Sequence, residues 1–557
     1  MALRDRLMFL VGAVLLAIVG TLPTPTNATA STKLYVGHYA RITAKIPGDW
    51  TVDPTGTFDY VGHGGFVASQ PVPGQTLEDA CVAFAASPRF DRPASITKTT
   101  WSDQTACRIA AEIAGAAAVA VVIAHPYPFE IDGEPFAYAA VIADPRDLDA
   151  IVATLDFAPD RVTPEAYATS VLDLVEARAY RADAVDWPAV HREVLDSIDD
   201  LPTVELAREG ILDIVVQNLR MAGDNHSFFL LPHETARLAE AWGYGLLVGG
   251  QQVLVVYPNG PADRAGVQVG DLLDAVDGRP FGPIATPVDP AGQIAPDPAG
   301  RRDRADRLTL RRPGAAAAIA VTVAPGSYSR FVSPAARRLP DGVGYLAVPG
   351  FTTPGQQTAY AAAANRAVAA VDRSPTCGWV VDLRLDTGGS YSPMVTAVGP
   401  ILGNGTFVGW RSRDDRQTWV TYQDGRVTED GREVSDYLGG QSYALQRPHP
   451  PVAVLTGRLT VSAGEVAALA FVGRPATRLF GESTAGRTTG NGGFPLFDGT
   501  ELALAVAAVT DRTGATHLGG VEPDELIPTD WTTYGTEQDR VLAAALGWLN
   551  RQPACAK

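Results

Sequence analysis

Two short apolar runs constrain the fold most strongly, because each leads into a loop of small residues and then into a helical pattern. The runs are residues 378–383 and 451–455. A short apolar run without polar alternation is typical of a strand that is buried on both faces. Strands of this kind that alternate with helices indicate an α/β core, and we expect such a core over residues 329–557.

The loops after these two runs carry residue types that suit nucleophilic catalysis. After the first run, Gly388 and Gly389 offer adjacent N–H groups that can approach a developing oxyanion closely. After the second, Ser462 precedes a helix whose positive end favours negative charge. Each feature also has a plainer interpretation, since Gly-Gly forms ordinary turns and Ser462 with Glu465 has the spacing of a helix capping box.

Residues 236–328 resemble a PDZ domain. The pattern of a carboxylate-binding loop is carried by Gly243, Tyr244, Gly245 and Leu246. A strand at 253–257, a helix at 260–267 and a turn at 270–273 follow in the order typical of these domains. Backbone N–H groups in such a loop can hold a carboxylate, and a strand edge can add a peptide. We expect these four residues and Gly388 to bind substrate, the alternative being a β-domain without a ligand.

The chain is too long for one hydrophobic core, and two further regions precede the PDZ-like one. Residues 31–158 are expected to form an α+β domain, whose segment 46–52 resembles the opening of PsbP-like domains. Residues 159–235 show helical periodicity at 164–180, 187–198 and 204–221. This helical block ends in the polar segment Asp224-Asn225-His226-Ser227.

The run from Asp382 to Asp524 resembles the carboxyl-terminal-processing/tricorn-core serine peptidase family. Its motifs occur in order, as Asp382-Leu383-Arg384 with Gly388-Gly389, Val461-Ser462-Ala463-Gly464-Glu465, Gly473-Arg474-Pro475, Gly481 to Gly486, Asp498-Gly499, Asp511 to Gly514 and Gly520 to Asp524. The resemblance implies a multidomain α+β protein with a crotonase/ClpP-like peptidase core. It also implies Ser462 as the nucleophile and the N–H groups of Gly389 and Ala463 as oxyanion donors. We expect no cofactor and no metal ion.

One position departs from the family pattern. The carboxyl-terminal-processing enzymes have a lysine base after the glycine at 486, whereas this chain has Arg487. A guanidinium stays protonated at working pH and cannot act as the base. The tricorn and retinoid-binding-protein-like branch uses an earlier histidine, and the segment around His226 resembles that motif, so we predict His226 as the general base. The residue that orients the His226 ring is left open between Asn225, Ser227 and Glu522. The alternative for Glu522 is an ordinary carboxylate on the protein surface.

The first thirty residues have the pattern of a secretory signal peptide. Arg4 and Arg6 precede an apolar run at 7–20 that is too short for an ordinary membrane span, and small residues follow at 28–30. An uncleaved anchor is the alternative. We expect a secreted or cell-envelope protein with no integral membrane segment after removal of the signal.

The cysteine count and the net charge support an exported globular protein. Four cysteines in an exported chain suggest disulfides, with Cys81–Cys107 and Cys377–Cys555 as the expected pairs. The formal charge of −17 argues against nucleic acid and anionic membranes as partners.

These features together predict a secreted, tail-specific serine endopeptidase that cleaves polypeptides through an acyl-enzyme. The PDZ-like domain would bind substrate, for example a C-terminal tail. The alternative is a catalytically inactive, peptidase-like binding or scaffold protein of the cell envelope. The sequence leaves the oligomeric state, the natural substrate and the role of the N-terminal domain open.

Overall fold

A computed structural model describes residues 31–557 except 54–55, 92–93, 132–133, 158–161, 235–240, 289–303, 354, 375 and 557. The predicted signal peptide lies outside the described residues. The described chain divides into two units. The first takes the described residues of Met1–Thr235 together with Asn491–Val506, and the second takes those of Ala236–Gly490 and Ala507–Lys557.

The first unit opens with antiparallel β-structure. Thr32–Gly37 pairs with Ile42–Pro47. A six-stranded sheet follows, in the spatial order Tyr60–Gly62, Gly65–Val72, Glu134–Ala143, Ala116–Ile131, Gln104–Ile113 and Ser95–Trp101. Successive strand side chains point to opposite faces. Ala140 and Ile142 accordingly pack with the helix Leu77–Ala85, whereas Val141 packs with the helix Leu148–Val152. This region is therefore α+β, as expected.

Three helices of the first unit confirm the helical pattern in the sequence, and they are Pro164–Arg178, Trp187–Ile198 and Val204–Met221. Two begin at side-chain caps, since Thr163 and Asp186 each accept a backbone N–H three residues ahead. In the second helix Trp187, Val190 and Val194 are buried, which gives the apolar face that helical spacing predicts.

A hairpin from late in the chain completes the first unit, although the sequence assigned it to the peptidase core. The strands Thr489–Pro495 and Glu501–Asp511 are adjacent, and Asn491–Val506 of this hairpin belong to the first unit. Its residues Phe494, Leu496 and Leu502 are buried in the same apolar cluster as the three helices. Within the unit, the strand Phe228–Leu230 pairs with residues 501–503.

The second unit begins with a mainly antiparallel sheet. Its strands follow the spatial order Ile284–Val288, Leu246–Gly250, Gln252–Val256, Leu272–Val276, Asp306–Arg311 and Ile319–Val323, with Arg279–Pro280 beside Leu272–Val276. The short helix Pro261–Arg264 follows the third of these, and Ala241–Gly243 pairs separately with Gly326–Tyr328. The strand Ile284–Val288 lies at one end of this sheet.

The centre of the second unit is a sheet with helices on both faces. Its strands lie in the order Ala335–Arg338, Gly344–Ala347, Trp379–Asp382, Val452–Thr456, Thr477–Gly481 and Glu525–Leu526, and all neighbours except the first pair are parallel. One face is covered by the helices Gln357–Val371, Tyr391–Leu402 and Ala463–Leu469, and the other by Arg540–Leu549. Val381 and Val454 face the first layer, and Val380 and Leu455 face the second. The two apolar runs are therefore doubly buried strands, as predicted.

An antiparallel sheet and a disulfide complete the second unit. The sheet takes Arg432–Asp436, Arg426–Glu429, Gln417–Gln423 and Gly405–Ser412, followed by residues 507–511 and the short strand Thr516–His517. Cys377 and Cys555 form a disulfide that joins the start of a central strand to the C-terminal tail. In the first unit Cys81 and Cys107 also form a disulfide, so both expected pairs are confirmed.

Candidate active site

Ser462 lies on a strained turn between a buried strand and a helix. The strand Val452–Thr456 ends six residues earlier, and the helix starts at Ala463. The backbone of Ser462 has φ 53° and ψ −113°, which is sparsely populated for a residue with a side chain. Such a conformation costs about 1–3 kcal/mol and persists only where the surroundings fix it.

The neighbouring Gly-Gly loop packs directly against this turn. A Cβ atom on Gly388 would lie 2.7 Å from the Val461 carbonyl oxygen and 3.1 Å from Ser462 Cβ, so only glycine permits the approach. Gly389 has φ +120°, and a Cβ there would lie 1.7 Å from the Phe351 carbonyl oxygen. Both positions therefore require glycine, because any side chain would clash with a neighbouring backbone carbonyl.

The Gly-Gly loop is fixed by backbone hydrogen bonds with Phe351, which follows the strand Gly344–Ala347. Phe351 donates its N–H to Gly388 O (2.9 Å), and Ser390 donates to Phe351 O (3.0 Å). Neither Gly389 N–H nor Ala463 N–H donates to an acceptor within the described residues. Backbone N–H groups of this kind, on a loop and at a helix start, can stabilise an oxyanion.

Glu465 organises the loops around Ser462. Its carboxylate accepts the Ser462 N–H (2.8 Å), as the capping-box spacing predicts, and the side chain is fully buried. It also accepts the Thr484 hydroxyl (2.5 Å) and the N–H groups of Gly486 (2.7 Å) and Arg487 (2.8 Å). Burial raises the pKa of Glu465, and these four donors offset part of that rise. The residue therefore joins the Ser462 turn to the loop at 484–487 rather than only capping a helix.

A buried ionic cluster anchors the strand that leads into the Gly-Gly loop. Arg384 is fully buried and donates to Asp382 Oδ2 (2.6 Å) and to Asp539 Oδ2 (2.8 Å). Tyr345 donates its hydroxyl to the same Asp382 oxygen (2.8 Å). Tyr534 lies against the guanidinium, with 4.4 Å from Arg384 Cζ to the ring centre. The Asp-Leu-Arg motif therefore stabilises the end of this strand through buried ion pairs and hydrogen bonds.

Two further residues of the predicted site lie on the surface of the second unit. Arg487 is exposed and takes part in the Glu465 network through its backbone N–H. Glu522 is also exposed, and its carboxylate accepts the Ser483 hydroxyl (2.8 Å).

His226 lies in the first unit, on a buried loop that Asp224 holds in place. Asp224 accepts the N–H of His226 (2.8 Å) and both the N–H (2.9 Å) and the hydroxyl (2.5 Å) of Ser227. The same hydroxyl oxygen accepts the Ala505 N–H (2.9 Å), and Asn491 donates its side-chain amide to His226 O (3.0 Å). The backbone of this loop is therefore fixed on both sides within its unit.

The predicted carboxylate-binding loop is well ordered by its own contacts. Tyr244 is buried, donates its hydroxyl to Asp306 (2.5 Å) and accepts the Ala262 N–H (2.8 Å). The strand that follows, Leu246–Gly250, is paired on both edges, with Gln252–Val256 and with Ile284–Val288. An added peptide strand on the second edge would therefore have to replace Ile284–Val288.

Comparisons with known proteins agree with this architecture. Residues 342–527 match the family model of peptidase family S41, and residues 252–289 match that of the PDZ domain. The chain carries a peptidase family S41 domain. This confirms the resemblance drawn from the motifs. The Gly-Gly loop, the Ser462 turn and the Glu465 network all lie within the S41 domain.

Individual relatives cover different parts of the chain. The nisin-resistance protein of Lactococcus lactis subsp. lactis is 32% identical over 30% of this chain and 51% of its own length, so the chain spans about half of that relative. The chloroplastic C-terminal processing peptidase of Tetradesmus obliquus is 25% identical over 57% of this chain and 69% of its own. A Streptococcus agalactiae lipoprotein structure has a TM-score of 0.44 and 18% identity, covering 70% of this chain and 96% of its own.

Three residues have roles that the sequence did not reveal. Asp224 holds the histidine loop, Glu465 joins loops distant in sequence, and Asp386 is fully buried beside Gly388. Among the described residues no group of three or more histidine, cysteine, aspartate and glutamate side chains is placed to hold a metal ion. No described helix is both long enough and apolar enough to span a membrane.

Proposed function

We propose that this protein is an exported serine endopeptidase in which Ser462 attacks the scissile carbonyl. The observation that carries the proposal is the strained Ser462 turn, which is packed against Gly388 at the start of a helix. Strain retained at a polar, chemically competent residue is typical of functional sites. A serine on a sharp strand-to-helix turn is also the arrangement used by other serine hydrolases.

We propose that the N–H groups of Gly389 and Ala463 hold the oxyanion. Both are donors without an acceptor in the described chain, and the Gly-Gly loop that carries the first is fixed by Phe351. Donors that are held in place before the reaction lower the barrier without reorganising during it. The acyl-enzyme formed on Ser462 is then released by water.

We propose His226 as the base that removes the Ser462 proton. Arg487 is exposed and permanently charged, so it offers no base at the family's lysine position. The His226 loop is buried and fixed through Asp224, which suits a residue whose ring must be held in one orientation. Asn225, Ser227 and Glu522 remain the predicted partners that orient the ring, and exchange of Glu522 for glutamine tests the last of them.

We propose that the PDZ domain binds a polypeptide at Gly243, Tyr244, Gly245 and Leu246, with Gly388 beside the scissile bond. Because Ile284–Val288 pairs with the strand after this loop, a bound tail would take the place of that segment.

Export and the domain boundaries 31–158, 159–235, 236–328 and 329–557 also remain proposals. Export is supported by the N-terminal pattern and by two disulfides, which persist in oxidising compartments.

Labelling with a fluorophosphonate probe tests the proposed function. The full chain should be labelled at Ser462, and Ser462→Ala should lose both labelling and casein hydrolysis while keeping its melting temperature. Ser412→Ala, which removes a serine hydroxyl elsewhere in the same unit, is the matched control and should label normally. Absence of labelling in the unaltered protein would refute the proposal and favour a peptidase-like binding protein.

A further inference from the structure

A second buried carboxyl group, that of Asp386, lies between the Gly-Gly loop and the start of the Ser462 helix. Asp386 is fully buried, and its carbonyl oxygen accepts the Val461 N–H (3.0 Å). A Cβ atom on Gly464 would lie 2.8 Å from Asp386 Cγ, which shows how closely the helix start approaches the carboxyl group. The group thus contacts both loops that form the proposed site.

The two oxygens of this carboxyl group differ in their hydrogen bonds. Its Oδ1 accepts the Gly388 N–H (3.1 Å), whereas its Oδ2 is buried and has no hydrogen-bond partner within the described residues. No arginine, lysine or histidine in the described chain forms an ion pair with it. Asp382, four residues earlier, is equally buried but has Arg384 at 2.6 Å and the Tyr345 hydroxyl at 2.8 Å. The two aspartates therefore lie close together in the sequence, one at the end of the strand and one in the loop after it, but only Asp382 is paired with a cation.

A buried carboxylate with one donor and no cation is expensive to keep ionised, and such a group takes up a proton instead. Burial raises the pKa of Asp386 well above its usual range, and the single N–H from Gly388 offsets little of that rise. Tyr360 is the described titratable side chain that interacts with Asp386 electrostatically. Burial raises the pKa of Tyr360 well above its usual range, so Tyr360 stays neutral when Asp386 titrates.

We propose that Asp386 is a positioning residue that works as a neutral carboxylic acid, with its Oδ1 fixing the Gly388 N–H and a proton on Oδ2. This inference rests on the proposed function, because it concerns the loop that carries the Gly389 oxyanion donor. A neutral acid holds the loop without placing negative charge beside a developing oxyanion. An ionised Asp386 would repel that oxyanion and weaken the transition state.

Asp386→Asn in the full chain tests the inference, with Asp382→Asn as the matched control. Asparagine is neutral and keeps an oxygen for the Gly388 N–H, so fluorophosphonate labelling of Ser462 should stay within threefold of the unaltered protein. Asp382→Asn makes the same chemical change next to buried Arg384 and should lower the melting midpoint at every pH. Asp386→Ala removes the acceptor of the Gly388 N–H and should slow labelling.

The pH dependence of stability gives a readout that an ordinary hydrogen bond would not move. Because native Asp386 would keep a proton that the unfolded chain releases above about pH 4, stability should fall with rising pH. The unaltered protein should therefore lose stability relative to Asp386→Asn as the pH rises above about 4, by up to about tenfold in the folding equilibrium per pH unit until the native carboxyl group titrates.

The outcomes separate this inference from the proposed function. A stability difference that is flat or grows in favour of the unaltered protein would overturn the neutral acid. Labelling of Asp386→Asn reduced more than threefold would also count against the neutral acid, and labelling of Asp386→Ala at the rate of the unaltered protein would overturn the positioning role. If the unaltered protein itself is not labelled, the proposed function fails, and the stability measurement still decides the protonation of Asp386.

Discussion

Glu465→Gln should destabilise the second unit strongly, although glutamine has almost the same shape as glutamate. Each carboxylate oxygen of Glu465 accepts two hydrogen bonds, Oε1 from Thr484 and Gly486 and Oε2 from Ser462 and Arg487. An amide keeps one oxygen and places an NH2 group where the other was. In either orientation of the amide, at least one backbone N–H then faces a donor.

The less damaging orientation places the amide oxygen at the Oε2 position. Ser462 and Arg487 then keep an acceptor, the Thr484 hydroxyl can turn to accept from the NH2, and the Gly486 N–H is left unpaired. Loss of one hydrogen bond to a charged group, with its donor left buried, costs about 2–4 kcal/mol. For a unit of about 300 residues, with an unfolding entropy of roughly 2.1 cal/mol/K per residue, that corresponds to a fall in melting temperature of roughly 3–6 °C.

Calorimetry of the full chain checks this value, with Glu525→Gln as the control. Glu525 is 43% exposed and pairs with the half-exposed Arg478 at 3.4 Å, so its exchange should change stability by less than about 1 kcal/mol. Because Glu465 fixes the Ser462 N–H, fluorophosphonate labelling should fall together with stability. A Glu465→Gln protein that melts within 1 °C (about the error of the measurement) of the unaltered one would refute the four-donor account.

Three further predictions concern the proposed chemistry and the tail. His226→Ala should reduce hydrolysis as much as Ser462→Ala, and the double variant should be little worse, because nucleophile and base act as one unit; additive losses would contradict this. Arg487→Met should keep most activity, and a hundredfold loss at unchanged melting temperature would show another role for the side chain. Cys377→Ser with Cys555→Ser opens a loop of 178 residues and should cost about 5 kcal/mol in denaturant unfolding, whereas an unchanged midpoint would contradict the cross-link.

Local patterns in the sequence were sufficient for much of the fold. The helix Trp187–Ile198 was predicted because its apolar residues recur at helical spacing, and Val380 and Val454 lie in strands predicted from unbroken apolar runs. The hairpin Asn491–Val506 groups with the first unit, which no pattern in the sequence indicates. Its apolar residues indicate burial, but the sequence does not state which elements they bury against.

The site shows the same division between local and long-range information. Gly388, Gly389 and Ser462 carry local signals, because a close backbone approach and a strained turn restrict residue type. Glu465 was recognised only as a capping residue, because its other donors lie 19 to 22 positions further along the chain. The burial of Asp386 depends on the helix start at Gly464, which no pattern around residue 386 reveals.

Glu465 and Asp386 lie near the same serine and differ in the number of donors that face them. Glu465 accepts four hydrogen bonds and Asp386 accepts one, although both side chains are fully buried. Four donors can stabilise a negative charge on Glu465, and that charge holds the backbone N–H groups of Ser462, Gly486 and Arg487 in place. One donor cannot, so the carboxyl group beside the Gly-Gly loop is expected to be neutral. Exchange of the acid for its amide should therefore damage the protein at Glu465 and be tolerated at Asp386, and the same chemical change at both positions compares the two directly.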